Sequence, residues 1–245
     1  MTPLPASPLV AALAFTLGAI GASFASTAAM RGLVGESAIL GRSYCEGCRA
    51  ELPFAATVPI VSFLVRRGRC SRCNSAISLI HPASELAGGL ALSLTALLVP
   101  PIVWAPLTFT AMLLVYAAVV DIRSLRIPDL AVLGVAISGG LVASSSGELG
   151  DALATGGATG GVLTLVAMLF ERIRGRPGLG FGDVKLLAAL SIWTGPSLTP
   201  IALVLSCAAG LAWTHLAPSD QPDRRVPFGP FIAAVFWPFA LGRLA

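Results

Sequence analysis

Stretches of about 20 apolar residues recur along this chain and constrain its fold more than any other feature. A helix needs about 20 apolar residues to cross the ~30 Å hydrocarbon layer of a bilayer. The chain of 245 residues is 56% hydrophobic and only 11% charged, and a soluble domain of this size would need roughly twice that charge to cover its surface. The apolar runs lie at residues 8–30, 82–100, 102–120, 129–146, 151–170, 184–195, 197–217 and 227–243.

These runs predict an all-α polytopic membrane protein with about eight transmembrane helices. Gly and Pro pairs such as Pro100–Pro101 and Gly195–Pro196 separate neighbouring runs. The first run is too long for the apolar part of a signal peptide and follows an N-terminus without Lys or Arg, so we expect a retained helix. Three parts are predicted: a first transmembrane helix at 1–30, a polar insertion at 31–81 and a membrane core at 82–245.

The distribution of positive charge predicts the orientation of these helices. If the N-terminus lies outside, 15 of the 16 Lys and Arg residues fall in inward-facing segments, and only Arg243 lies on the other side. Basic residues concentrate on the cytoplasmic side of membrane proteins. The net charge of +4 is therefore explained by basic residues that face membrane lipid on the cytoplasmic side, and no nucleic-acid partner is predicted.

The insertion at 31–81 carries four cysteines in two CxxC pairs. Cys45 and Cys48 form the first pair, Cys70 and Cys73 form the second, and 21 residues separate the pairs. Two such pairs are typical of one tetrahedral zinc site, which would stabilise a segment too short for a core of its own. Disulfides and free thiols are the alternatives, and the inferred cytoplasmic location disfavours disulfides. Cys207 lies within an apolar run and is predicted to be a plain core residue.

Two aspartates at helix ends are the candidate catalytic residues. Asp121 ends a helix that runs inward and Asp183 begins one that runs outward, so both are predicted near the cytoplasmic face. Taken singly, Asp121 could pair with Arg123 or Arg126, and Asp183 could cap a helix. As a pair, two partly desolvated carboxyl groups favour sharing one proton, as in aspartic proteases, where one activates water and the other donates to the carbonyl oxygen.

Several neighbours are predicted to support this site. Glycines at 178, 180 and 182 remove side chains before Asp183 and permit backbone conformations closed to other residues, so a substrate backbone could approach Gly180 and Gly182 closely. Lys185 follows within the same motif. Glu85 lies one turn into the second apolar run, where an unpaired carboxylate is costly. It could support the site by binding substrate, pair with an Arg or stabilise a helix N-terminus. Asp129 follows Pro128 and is predicted to be a first-turn residue rather than a catalytic one.

Several separated motifs resemble, in order, those of the type IV prepilin peptidases, which are membrane aspartic endopeptidases with a GxGD motif. The motifs are "PIVSFLVRRGRCSRC" at 59–73, "HPASEL" at 81–86, "DIRSLRIPD" at 121–129, "GLGFGDVK" at 178–185 and "VPFGPFIAA" at 226–234. The resemblance implies cleavage of short basic leaders from prepilins or pseudopilins at the cytoplasmic face of the bacterial inner membrane. It places the catalytic pair on Asp121 and Asp183.

The resemblance also implies a second activity. Family members with the cysteine-bearing insertion often methylate the new N-terminal amine with S-adenosylmethionine. In the first helix this chain departs from the family pattern, because Ser26 occupies the place where the family commonly has Asn.

Two other classes of function remain open from the residues alone. A cation- or proton-coupled transporter with a zinc-stapled cytoplasmic domain would also hold carboxylates in membrane helices, although such carboxylates lie near the bilayer midplane. A non-catalytic membrane scaffold would need the cysteines but neither aspartate.

Overall fold

A computed structural model describes residues 7–37, 40–216 and 226–245 of the chain. Within these ranges the regular structure is helical, and β-pairing is limited to two isolated bridges. The chain divides into two compact units, Met1–Leu98 (unit 1) and Val99–Ala245 (unit 2). Arg224 and Arg225, two of the 15 basic residues predicted to face inward, lie outside the described residues.

Unit 1 contains two long helices and a short one. They are α1 (Pro8–Leu33), α2 (Val61–Val65) and α3 (Ile80–Leu98), with a 3-10 turn at Phe54–Ala56. The first helix begins as its sequence predicts, because the Ser7 hydroxyl accepts a hydrogen bond from the Val10 amide and Pro8 occupies the first turn.

Small residues let α1 and α3 approach each other closely. A methyl group on Gly18 would lie 2.2 Å from the Gly88 carbonyl oxygen, and one on Gly88 would lie 2.4 Å from Ala22 Cβ. Gly89 packs in the same way against the ring of Phe15. Close contacts between small residues are the usual basis of helix packing within membranes, where the lipid is as apolar as a leucine side chain.

Unit 2 contains five helices. They are α4 (Trp104–Ser124), α5 (Asp129–Ser145), α6 (Leu149–Arg174), α7 (Phe181–Leu216) and α8 (Gly229–Leu244), and a 3-10 turn at Pro101–Val103 precedes α4. Buried hydrogen bonds join them: the Thr110 and Ser138 hydroxyls lie 2.7 Å apart, and the Trp193 indole N–H donates to the Val135 carbonyl oxygen at 3.0 Å.

The helix α7 is broken at Gly195, where the predicted boundary lies. Gly195 has φ 69° and ψ 178° and is followed by Pro196. The Arg243 guanidinium donates to the Trp193 carbonyl oxygen at 3.2 Å and pairs with Glu148 at 2.6 Å, so it occupies one backbone acceptor exposed by the break. If the two halves of α7 are counted separately, the described residues contain eight helices besides the five-residue α2, which confirms the predicted number.

The composition of the helices is that of a membrane protein. Four helical segments within the described residues, at Pro8–Leu33, Pro101–Ser124, Leu149–Arg174 and Phe181–Leu216, are long and apolar enough to cross a bilayer, and α5 and α8 are shorter apolar helices. Large apolar side chains such as Leu165 and Val204 are mostly exposed. A surface of this kind is suited to lipid contact.

Candidate active site and metal centre

Four helix ends of unit 2 surround the two predicted catalytic aspartates. Asp121 lies in the last turn of α4, and Asp183 lies in the first turn of α7. The helices α5 and α8 begin at Asp129 and Gly229. Asp183 lies within electrostatic range of Asp121. The structure therefore brings together two residues that are far apart in the sequence.

Asp121 is buried and is held by a backbone group. Asp121 is only 4% exposed, and the Gly229 amide donates a hydrogen bond to its Oδ2 at 2.7 Å. Gly229 is the first residue of α8, so the positive end of that helix faces the carboxyl group. A methyl group on Gly229 would lie 3.0 Å from the same oxygen. No ion pair to Asp121 occurs among the residues that the structure describes.

Asp183 is partly exposed and lies beside the glycine motif. A methyl group on Gly180 would lie 2.7 Å from Asp183 Oδ2, and one on Gly182 would lie 3.2 Å from Ile127 Cβ. Neither glycine has a positive φ, nor does Gly178. The prediction that these glycines adopt conformations closed to other residues is therefore wrong. Their observed feature is close packing, since a side chain at 180 or 182 would meet Asp183 or the segment between α4 and α5.

Lys185 links two of the helix ends around the aspartates. Its ammonium group forms an ion pair with Asp129 and lies 5.3 Å from the centre of the Phe181 ring. Asp129 is the first residue of α5, as predicted. The ion pair therefore joins the N-terminus of α5 to that of α7.

Glu85, the remaining predicted site-supporting residue, lies in unit 1 on α3. It is 7% exposed, and its carboxylate accepts one hydrogen bond from the Ser23 hydroxyl at 2.8 Å and one from the Ile60 amide at 2.6 Å. Ile60 has φ 60°, a region that β-branched residues rarely adopt. The predicted alternative of a partner Arg does not occur among the described residues.

The four cysteines of unit 1 form one cluster. Their sulfur atoms all lie within 4.8 Å of one another, and the Sγ atoms of Cys45 and Cys73 are 3.8 Å apart. Each CxxC pair sits on the same type of turn. The Cys45 amide donates to the Ala50 carbonyl, and the Cys70 amide donates to the Ser75 carbonyl.

This donor set fits a zinc ion. Four thiolates at about 2.3 Å from a tetrahedral zinc lie about 3.8 Å from one another. A hydrogen bond from the Cys48 amide lowers the pKa of the Cys45 thiol to about 6, and the Ser75 hydroxyl lowers the pKa of Cys73. Both shifts favour the thiolate form that binds metal, whereas the neighbouring Cys73 and Cys45 thiols raise the pKa of Cys48 to about 11. Metal binding at this cluster would therefore release a proton from Cys48. A Cys₄ set leaves no open position, so a metal here would be structural.

Cys207 does not belong to this cluster. It is exposed on α7, so the prediction of a core position is wrong. An apolar run contains outward-facing as well as inward-facing positions, and in a membrane helix both are apolar.

Two contacts at the aspartates could not be predicted from the sequence, namely the hydrogen bond from the Gly229 amide to Asp121 and the ion pair of Asp129 with Lys185. The "VPFGPFIAA" motif was recognised, but nothing in it indicated which residue would meet Asp121, 108 positions earlier.

Comparison with protein families matches both parts of the chain. A family described as the bacterial peptidase A24 N-terminal domain matches residues 16–99, and the type IV leader peptidase family matches residues 108–215. No solved structure matches the chain.

Among curated proteins, the prepilin leader peptidase/N-methyltransferase of Aeromonas salmonicida is 34% identical over 208 residues, covering 80% of this chain and 69% of that protein. The protein of the same name from Pseudomonas aeruginosa is 34% identical over 219 residues, covering 81% of this chain and 71% of that protein. The one from Burkholderia pseudomallei is 36% identical over 204 residues, covering 79% and 64%.

Proposed function

The chain belongs to the type IV leader peptidase family, and on that premise we propose that it is a membrane aspartic endopeptidase that removes the short basic leader from prepilins or pseudopilins. The observation that carries this proposal is the convergence of Asp121 and Asp183 at one end of unit 2. We assign the catalytic roles to these two residues.

In the proposed reaction the two carboxyl groups share one proton. The ionised carboxylate takes a proton from a water molecule as that water attacks the scissile amide carbonyl, and the protonated carboxyl donates to the developing oxyanion. Collapse of the tetrahedral intermediate then needs a proton on the leaving amine, which the same pair supplies. The Gly229 amide fixes one oxygen of Asp121, so that carboxyl group is held in place before substrate binds.

The site is proposed to lie at the cytoplasmic face of a bacterial inner membrane. Arg123, Arg126 and the basic residues at 172, 174 and 176 flank the aspartate-bearing ends of α4 and α7, whereas Arg243 lies at the opposite end of α8. That asymmetry supports the positive-inside orientation. The basic leader would then stay inside while the apolar segment of the substrate enters the membrane.

Gly180, Gly182 and Lys185 are proposed to support the site. The glycines keep the entrance to Asp183 free of side chains, and Lys185 holds the N-termini of α5 and α7 together through Asp129. The insertion at 31–81 is proposed to bind a structural zinc ion through Cys45, Cys48, Cys70 and Cys73, and 82–245 is proposed as the membrane core.

We also propose that the chain methylates the new N-terminal amine, because its relatives are named N-methyltransferases as well as prepilin leader peptidases. S-adenosylmethionine, when bound, would supply the methyl group. Ser26 stands where the family commonly has Asn, and its hydroxyl donates to the Ser23 carbonyl oxygen of its own helix.

Ion transport is the less favoured function. A transporter would place carboxylates in mid-membrane, whereas Asp121 and Asp183 both lie in terminal turns of their helices.

The test is coexpression with a prepilin and measurement of leader removal. We expect Asp121→Asn and Asp183→Asn each to lower the rate by about 10²- to 10⁴-fold, the usual contribution of a general acid or base. Asp151→Asn is the matched control, because Asp151 is an exposed carboxylate in the first turn of α6. Full processing by both variants of the pair would rule out the peptidase.

A further inference from the structure

Unit 1 contains a cavity beside Glu85. Its volume is about 330 Å³, and its walls include Ser23, Arg31, Tyr44, Phe63, Arg66 and Glu85. Cavities of this size and larger hold small-molecule ligands.

Most charged groups of this cavity already have partners. Arg31 donates to backbone carbonyls, most closely that of Arg42 at 2.6 Å. Arg49 pairs with Glu36 at 3.0 Å, and Glu46 lies 3.2 Å from the His81 ring.

Two opposite charges in the same walls are left without an ionic partner among the described residues. The first is Glu85, which is buried and receives only neutral donors from Ser23 and Ile60. The second is Arg66, whose side chain makes no hydrogen bond or ion pair within the part of the chain that the structure describes. A buried carboxylate is costly unless a positive charge compensates it.

We propose that this cavity binds S-adenosylmethionine, with the Glu85 carboxylate facing its sulfonium and Arg66 facing its carboxylate. This inference rests on the proposed methyltransferase activity. The ligand carries both signs of charge that the cavity leaves uncompensated.

Glu85 is suited to this role because its position is fixed from two sides. Ser23 of α1 and the Ile60 amide both donate to it, so the carboxylate cannot turn away from the cavity without losing a bond. Ile60 keeps an unusual backbone conformation at this contact, and such residues cluster at ligand sites.

The experiment compares two ligands that differ in one charge. S-adenosylmethionine has a methylated sulfonium, S-adenosylhomocysteine lacks that methyl group and has a neutral sulfur, and the rest of the two molecules is shared. Binding of each to the purified full chain in detergent is measured by titration calorimetry. We expect Glu85→Gln to weaken binding of S-adenosylmethionine by about 10-fold or more while changing that of S-adenosylhomocysteine less than threefold. Arg66→Gln should weaken both ligands about equally.

Glu46→Gln is the matched control, because it removes a carboxylate from the same walls that pairs with His81. Zinc content and melting temperature are measured for each variant, so that a misfolded protein is recognised. The inference is overturned if Glu85→Gln affects both ligands equally or neither. Methylation of the released N-terminal amine by the wild-type chain is measured in parallel. If methylation occurs while the binding pattern fails, only this inference falls, whereas absent methylation contradicts the proposed methyltransferase.

Discussion

Asp121 of unit 2 and Glu85 of unit 1 are both buried carboxylates, and neither forms an ion pair with the described residues. Asp121 is held by the Gly229 amide, and Glu85 is held by the Ser23 hydroxyl and the Ile60 amide. By contrast, the exposed carboxylates of Asp129 and Glu148 pair with Lys185 and Arg243. In these four cases the exposed carboxylates are paired, where pairing contributes little, and the buried ones are not, where pairing would matter most.

The difference between the two buried groups lies in what stands beside them. Asp121 has a second carboxyl group within electrostatic range, so it is equipped for proton transfer. Glu85 lines a cavity in which a second carboxylate, Glu46, already has the His81 ring as its partner, so Glu85 is equipped to attract a cation. Neutral donors orient a carboxylate without cancelling its charge, which is what both tasks need.

The largest effect is expected from the cysteine cluster, which borders the Glu85 cavity. Cys70→Ser should abolish tight zinc binding and unfold much of the 31–81 segment, because binding of a structural zinc contributes about 10 kcal/mol or more in small domains. Metal analysis and limited proteolysis measure the two effects. Cys207→Ser, at an exposed position on α7, is the control and should retain the metal. A Cys70→Ser protein with full zinc content would contradict the four-thiolate site.

The next largest effect is expected where Asp121 is held. Gly229→Ala places a methyl group 3.0 Å from Asp121 Oδ2, and a small displacement of a catalytic group costs up to about 100-fold in rate. Leader removal should therefore fall by about 10- to 100-fold. Gly242 lies in the same helix, and a methyl group added there would meet no neighbouring atom within 4 Å. The rate of leader removal by Gly242→Ala should therefore stay within twofold of wild type. Equal rates for the two variants would mean that the Gly229 contact does not position the carboxyl group.

A smaller effect is expected where Glu85 is held. Ser23→Ala removes one of its two donors and should lower the free energy of unfolding by about 1.5–3 kcal/mol, the usual contribution of a hydrogen bond to a charged group. Ser26→Ala is the control on the same helix, since among the described residues the buried Ser26 hydroxyl bonds only to a carbonyl of its own helix, and its loss should cost about 0.5–1.5 kcal/mol, the usual net contribution of a neutral hydrogen bond. Chemical unfolding in detergent compares them. If Ser26→Ala costs as much as Ser23→Ala, Glu85 does not depend on its donor.

The smallest effect is expected for a surface pair. A double-mutant cycle of Asp129→Asn and Lys185→Gln should give a coupling of about 0.2–1 kcal/mol in unfolding free energy, as for other exposed ion pairs. A coupling above about 2 kcal/mol would show that this exposed ion pair stabilises the fold strongly. That result would contradict the view that pairing contributes little at the surface.

Much of the fold could be predicted because membrane helices are long apolar runs, and the break at Gly195–Pro196 has a local chemical cause. The convergence of Asp121 and Asp183 could be predicted in part, because helix direction places both at one face. The Gly229 and Ile60 contacts could not, since a backbone amide is the same at every residue and its partner is set by packing of distant segments. The reason for the glycines was mistaken, because both a positive φ and a close contact favour glycine.

The most direct measurement of the central claim uses a leader-peptide analogue whose scissile amide is replaced by a hydroxyethylene group. In an aspartic site both carboxyl groups contact that hydroxyl, and analogues of the transition state bind at least about 100-fold more tightly than matched ground-state peptides. We expect such a gain over the same peptide with a plain ethylene link, and its loss in both Asp121→Asn and Asp183→Asn. A hydroxyl that adds no affinity, or a gain that survives either substitution, would contradict the shared carboxyl pair.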